Sequence, residues 1–129
     1  MFLFCLMIAL AGGSELTSGW WRFNASATKH QPRVYIQVYQ TMILDGWYAT
    51  PDQTSYPLNG LYSTPINSAN DQMVSFCVLW QNGLPTTPGI TTWNGRYKPA
   101  TNTIEASWTS WTYSAASNQM TTGNVTLYQ

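Results

Sequence analysis

Charge is scarce in this chain. Of its 129 residues only 8% are Asp, Glu, Lys or Arg, against about 25% in an ordinary soluble domain. Five basic and five acidic residues, scattered singly, leave a formal net charge of zero. No basic stripe exists to neutralise phosphates, which argues against nucleic acid as a partner. Histidine is rarer still: His30 stands alone in a polar stretch and reads as a solvated loop residue. No Ser, Thr or Cys has an identifiable base and orienting group, and Asp45, Asp52, Asp71 and Glu105 show no obvious pairing. The expectation is a protein that is not an enzyme, with no catalytic residue and no cofactor.

Long apolar runs are also missing, with one exception. The opening "MFLFCLMIALAGGSE" has ten uncharged apolar residues followed by small ones. That run is too short to span a bilayer, so no membrane association is expected. Ala9 and Ala11 fit the small-x-small pattern of a signal-peptidase site. Residues 1–11 therefore read as a signal peptide and 12–129 as one secreted, extracellular domain. The usual positive n-region is absent, since no Lys or Arg precedes Arg22; a buried first strand is the plainer alternative. Cys5 would leave with the leader. Cys77, in "MVSFCVLW", then has no disulfide partner and is expected to be a small buried hydrophobe. One thiol and one imidazole cannot make a zinc site, and metal-ligand spacings are absent.

Aromatic residues, by contrast, reach 15%, with seven Trp and eight Tyr. A chain this aromatic buries ample surface, which excludes disorder. Helical periodicity is weak throughout, whereas alternation with period two recurs, as in "RVYIQVYQ" (33–40), "IEASWTSWTY" (104–113) and "NVTLYQ" (124–129). Turn-rich stretches divide the chain into eight strands, at about 17–24, 33–40, 42–49, 58–64, 72–81, 90–97, 103–113 and 121–128. Short strands joined by hairpin-length loops predict an all-β, eight-stranded antiparallel up-and-down barrel. A β-sandwich fits the pattern too. Three units share one skeleton: "LDGWY" (44–48), "LNGLY" (58–62) and "WNGRY" (93–97). Alone, Asn-Gly signals a hairpin turn; in the eight-strand frame these glycines fall inside strands, permitting a bulge or a close backbone approach.

An eight-stranded barrel can hold one small ligand. Trp and Tyr interleaved with Ser, Thr and Asn suit a pocket that encloses an uncharged ring and fixes it with hydrogen bonds. The alternative is that the Trp residues are ordinary core.

Taken together the segments resemble the avidin and streptavidin family over nearly the whole mature chain. "LTSGWWRFNAS" is similar to that family's first strand, and "LDGWYAT" to its Thr-Gly-x-Tyr-x-Ser/Thr strand. "YPLNGLYSTP" with "MVSFCVLWQN" resembles the pair ending in Val-x-Trp-x-Asn. "TTWNGRY" is close to Thr-Thr-Trp-Ser-Gly-Gln-Tyr, and "IEASWTSWTYS" to the strand carrying Gln-Trp-Leu-Leu. The resemblance implies a barrel that binds biotin. On that basis Trp80, Trp93 and Trp108 would wall the thiophane ring and valeryl chain. Ser26 and Tyr48 would donate to the ureido oxygen, Thr50 would accept from a ureido N–H, and Thr91 would lie near the thioether sulfur.

Several positions depart from the family. Aligning Trp20 and Ser26 puts Arg22 where the third oxygen donor, an Asn, is expected; its guanidinium would contact the ureido oxygen or a carboxylate, or exclude biotin. Aligning Gly123 puts Val125 at the Asp or Asn that completes the ureido contacts, with Asn124 one residue off and facing the other way. Ser110 replaces a Leu, and Met120 stands nearest to the Trp that a neighbouring subunit contributes in many tetramers. The expected function is non-covalent binding of biotin or a biotin-like molecule, weaker than in the family's tightest members, by a homodimer or homotetramer. The alternatives are an avidin-fold protein with another ligand and a lipocalin-like carrier, for which "GWW" at 19–21 supplies a Gly-x-Trp start.

Overall fold

The computed structural model describes residues 15–26, 31–81, 88–113 and 118–129. The expected signal peptide, its boundary at residue 11 and His30 lie outside these residues. Eight strands follow in order: β1 (Gly19–Arg22), β2 (Arg33–Val38), β3 (Ile43–Ala49), β4 (Ser55–Pro65), β5 (Gln72–Leu79), β6 (Gly89–Lys98), β7 (Thr103–Tyr113) and β8 (Asn118–Tyr128). Each strand pairs antiparallel with the next, and Arg22 opposite Tyr128 joins β1 to β8, so the sheet closes on itself. That seam is one residue pair long, because β1 is far shorter than β8. The protein is therefore the all-β, eight-stranded antiparallel up-and-down barrel expected from its alternation, and the sandwich is excluded.

The period of two builds the core. Along β5, Val74, Phe76 and Val78 are buried while Met73, Ser75 and Leu79 are exposed. The same alternation corrects the expectation for Cys77, which is half-buried on the outer face between Phe76 and Val78. Val34, Ile36 and Trp21 have no exposed surface. Trp21 meets Tyr97 edge-on, with ring centroids 6.0 Å apart. Below them Leu16 is buried, and its N–H donates to Gln72 Oε1 at 2.8 Å. The Gln72 amide in turn donates to the Ser63 carbonyl at 2.8 Å, so this buried polar side chain is engaged at both ends. These contacts seal one end of the barrel.

Gly46, Gly60 and Gly95 all lie within strands, not at strand tips. Gly46 has φ +149°, and a Cβ there would sit 1.9 Å from the Tyr35 carbonyl oxygen, so no other residue fits without moving β2. β1 is shorter than expected by two residues at each end, β2 and β5 stop two residues early, and β4 and β8 begin earlier than the sequence reading has them. β4 begins at Ser55 and takes in Pro57, opposite Trp47, although 49–57 reads as a turn. β8 begins at Asn118, three residues earlier than 121. Turn-forming composition at both places is overridden by pairing with the neighbouring strand.

Candidate functional site

At the end of the barrel away from Leu16, the inward-facing positions enclose a cavity of about 520 Å³, a size suited to a small organic ligand. Its wall comes from Phe23 just past β1, Tyr48 on β3, Trp80 just past β5, Thr91 and Trp93 on β6, Trp108 and Ser110 on β7, and Thr121 and Val125 on β8. Asn24, Gln31 and Pro32 complete the lining.

Aromatic rings brace one another around this space. Trp80 stands edge-on to Tyr48 (4.8 Å) and to Tyr56 (5.2 Å). Phe23 tilts against Tyr48 at 5.7 Å and against Trp93 at 6.3 Å. Trp93 is stacked on Phe76 at 5.2 Å. Trp108 lies over Gly123, where a Cβ would come within 2.6 Å of the indole. A glycine at that position lets the ring lie against the backbone of β8.

Polar groups are few and placed. The Trp80 indole N–H donates to Thr91 Oγ1 at 2.7 Å, and the Thr91 hydroxyl donates to Ser110 Oγ at 2.8 Å. Burial raises the Tyr48 pKa above its ordinary 10.0, because a phenolate in this aromatic setting would lose its hydration. The Tyr48 hydroxyl is therefore protonated and able to donate across the physiological range. Among the described residues no group of three or more His, Cys, Asp or Glu could hold a metal ion.

Comparison of the sequence with protein-family models gives no match, and comparison with curated proteins gives none either. Solved structures do match. Rhizavidin in complex with biotin is 22% identical and superposes with a TM-score of 0.64, over 88% of this chain and 94% of that one. Apo short afifavidin gives 21% identity and a TM-score of 0.65, over 89% and 96% of the two chains. The short afifavidin–biotin complex gives 22% and 0.61, with 87% of each chain covered. The fold is avidin-like.

In this avidin-like barrel, six of the nine residues expected from the sequence line this cavity: Tyr48, Trp80, Thr91, Trp93, Trp108 and Val125. Arg22, Ser26 and Thr50 are not among its lining residues. Arg22 is a matter of register. The sequence presents two consecutive tryptophans, and the barrel buries Trp21 completely. Trp20 turns outward, edge-on to Tyr35 at 5.3 Å with the Arg33 guanidinium 4.1 Å above its ring. Alignment on Trp20 is thus one residue out, and a one-residue slip exchanges the two faces of a strand. Phe23 takes the inward place, while Arg22 is half-buried and donates to the Gln129 carbonyl at 3.5 Å.

Ser26 is exposed, and both its N–H and its hydroxyl donate to Asn24 Oδ1 at 3.0 Å. Thr50 is spent within its own loop: its hydroxyl lies within hydrogen-bonding reach of the Asp52 carboxylate and of the Thr54 carbonyl. The Asp52 pKa is lowered, chiefly by that Thr50 contact. Val125 faces the cavity and Asn124 the outer surface, where it accepts from the Ser107 hydroxyl at 2.9 Å. Phe23, Ser110 and Thr121 were missed as wall residues. Alternation from Trp21, Trp108 and Val125 would have found all three.

Proposed function

We propose that this avidin-like barrel binds biotin, or a molecule of the same shape, non-covalently and without chemistry. The observation carrying this reading is convergence: Tyr48, Trp80, Thr91, Trp93 and Trp108, matched from separate segments of sequence, all line one cavity. Two of the solved structures sharing the fold are biotin complexes. The proposed affinity is below that of the tightest complexes, because Phe23 and Val125 bring apolar surface to places where the resemblance implies polar partners. Isothermal titration of the purified chain with free biotin is expected to give saturable heat and a raised melting temperature. The affinity should be the same at pH 7 and pH 9, since Tyr48 remains protonated at both. Stability from burying the neutral phenol is fully present below pH 10 and declines as pH rises through the raised Tyr48 value. Absence of heat and of any melting shift at millimolar biotin would sink this reading. A second reading, favoured by Phe23 and Val125, is an avidin-like protein for another ring compound. Immobilised biotin would then retain none of the protein, while Trp fluorescence responds to that other compound.

We further propose that the chain is extracellular and self-associates as a dimer or tetramer. Residues 74–81, 88–95, 106–113 and 118–125 contain no charged side chain. Leu79, Ile90, Trp111 and Met120, each exposed, stand opposite one another across β5 to β8. Two copies meeting there bring no like charges together, and depletion of charge is what marks the centre of a protein interface. Light scattering is expected to give the mass of two or four chains, reduced to one by Ile90→Lys with Trp111→Glu. A wild-type monomer at micromolar concentration would refute self-association.

A further inference from the structure

At one level of the cavity, the inward positions of β6, β7 and β8 are Thr91, Ser110 and Thr121, each opposite the next across two strand pairs. Three hydroxyls therefore occupy adjacent strands on a single wall. Their hydrogen bonds run in one direction. The Trp80 indole nitrogen can only donate, and it does so to Thr91 Oγ1 at 2.7 Å. Thr91 is 4% exposed, and its one hydroxyl hydrogen goes to Ser110 Oγ at 2.8 Å. Thr91 thus has no hydrogen left for a ligand. Ser110, half-buried and facing the cavity, receives the chain and keeps its own hydrogen for whatever lies against this wall. A one-way chain of hydrogen bonds polarises its terminal O–H and strengthens it as a donor.

We propose that Ser110 reads an oxygen acceptor on the ligand's ring, where biotin carries its thioether sulfur, so that the cavity prefers a biotin sulfoxide to biotin. This rests on the biotin reading above, with Thr91 beside the ring sulfur as the resemblance implies. A thioether is a weak acceptor. Packed against Ser110 it would leave a polarised O–H without a partner in a wall from which the ligand has displaced water. A sulfoxide oxygen supplies the missing acceptor. Ser110 also occupies less volume than the Leu that the family pattern has there, which leaves room for one more ligand atom. Because the sulfoxide sulfur is stereogenic, only the epimer whose oxygen points towards β7 satisfies Ser110.

The test is isothermal titration of the full chain with biotin and with each biotin sulfoxide epimer. One epimer is expected to bind about five- to tenfold tighter than biotin, the worth of roughly one neutral hydrogen bond. Ser110→Ala should remove that preference, bringing biotin and both epimers within about twofold of one another, and Ser110→Thr, which keeps the hydroxyl, should retain the preference. Melting temperatures of both variants report whether the barrel stays folded. Biotin binding tighter than both epimers, or a ratio unmoved by Ser110→Ala, overturns the proposal while leaving the biotin reading intact. Binding of neither biotin nor sulfoxide overturns both.

Discussion

Phe23→Asn combined with Val125→Asp should tighten biotin binding by about two to four orders of magnitude, whereas Arg22→Asn should leave it unchanged. Both replaced side chains line the cavity. Each substitution returns a hydrogen-bonding group to a wall that is now apolar. Hydrogen bonds involving a charged partner contribute about 1.5–3 kcal/mol each, and about 1.4 kcal/mol is one decade. Arg22 instead points away from the lining and is engaged with the Gln129 carbonyl. The gain comes with a cost in the empty protein, because the new carboxylate is desolvated without a partner. The double variant should melt below the parent without ligand and regain the difference at saturating biotin. Tightening by Arg22→Asn, but not by Phe23→Asn, would show that the register assigned to β1 is wrong.

Trp93→Ala is expected to damage both the barrel and its ligand binding. Trp93 is 5% exposed, stacked on Phe76 at 5.2 Å, and tilted against Phe23 at 6.3 Å. Removing a buried aromatic ring costs about 3–5 kcal/mol, which in a domain of this size lowers the melting temperature by roughly 10–20 °C. Biotin affinity should fall by at least about a hundredfold, since the ring is both wall and brace. Trp47→Ala is the informative comparison. Trp47 is 40% exposed on the outside of the barrel, stacked on Tyr35 at 4.7 Å. Its removal should cost about 0.5–1.5 kcal/mol of pair energy and leave biotin affinity within about twofold. Thermal melts and titrations on the two variants separate the inner set of tryptophans from the outer one.

Strand identity was legible because alternation is a local property. "RVYIQV" declares Val34 and Ile36 as inward without reference to any other segment, and both have no exposed surface. Trp108 and Val125 were placed inward by the family resemblance, not by alternation, and both line the cavity. Alternation failed at "GWWR", where either of two adjacent tryptophans satisfies a one-in-two pattern. Only the assembled barrel chooses, by fitting Trp21 beside Tyr97 and building Trp20 into an outer ladder with Tyr35 and Trp47. Ser26 and Thr50 failed for another reason. Both lie outside the strands, where short polar side chains bond the nearest backbone or Asx oxygen and no period governs direction. The Thr91–Ser110–Thr121 wall was hidden because it is a property of register between strands, which no single segment contains.

The seal at the base of the barrel has a practical side. Leu16 is fastened there through Gln72, and Gly19 and Gln129 lie against each other, a Cβ on Gly19 coming 2.6 Å from the Gln129 amide nitrogen. Leu16, Gly19 and Gln129 therefore lie together at the pole opposite the cavity mouth. A tether attached to a side chain at this pole would hold the molecule with its opening turned outward. The barrel is ready to be mounted on a bead, sensor or second domain without its entrance being blocked.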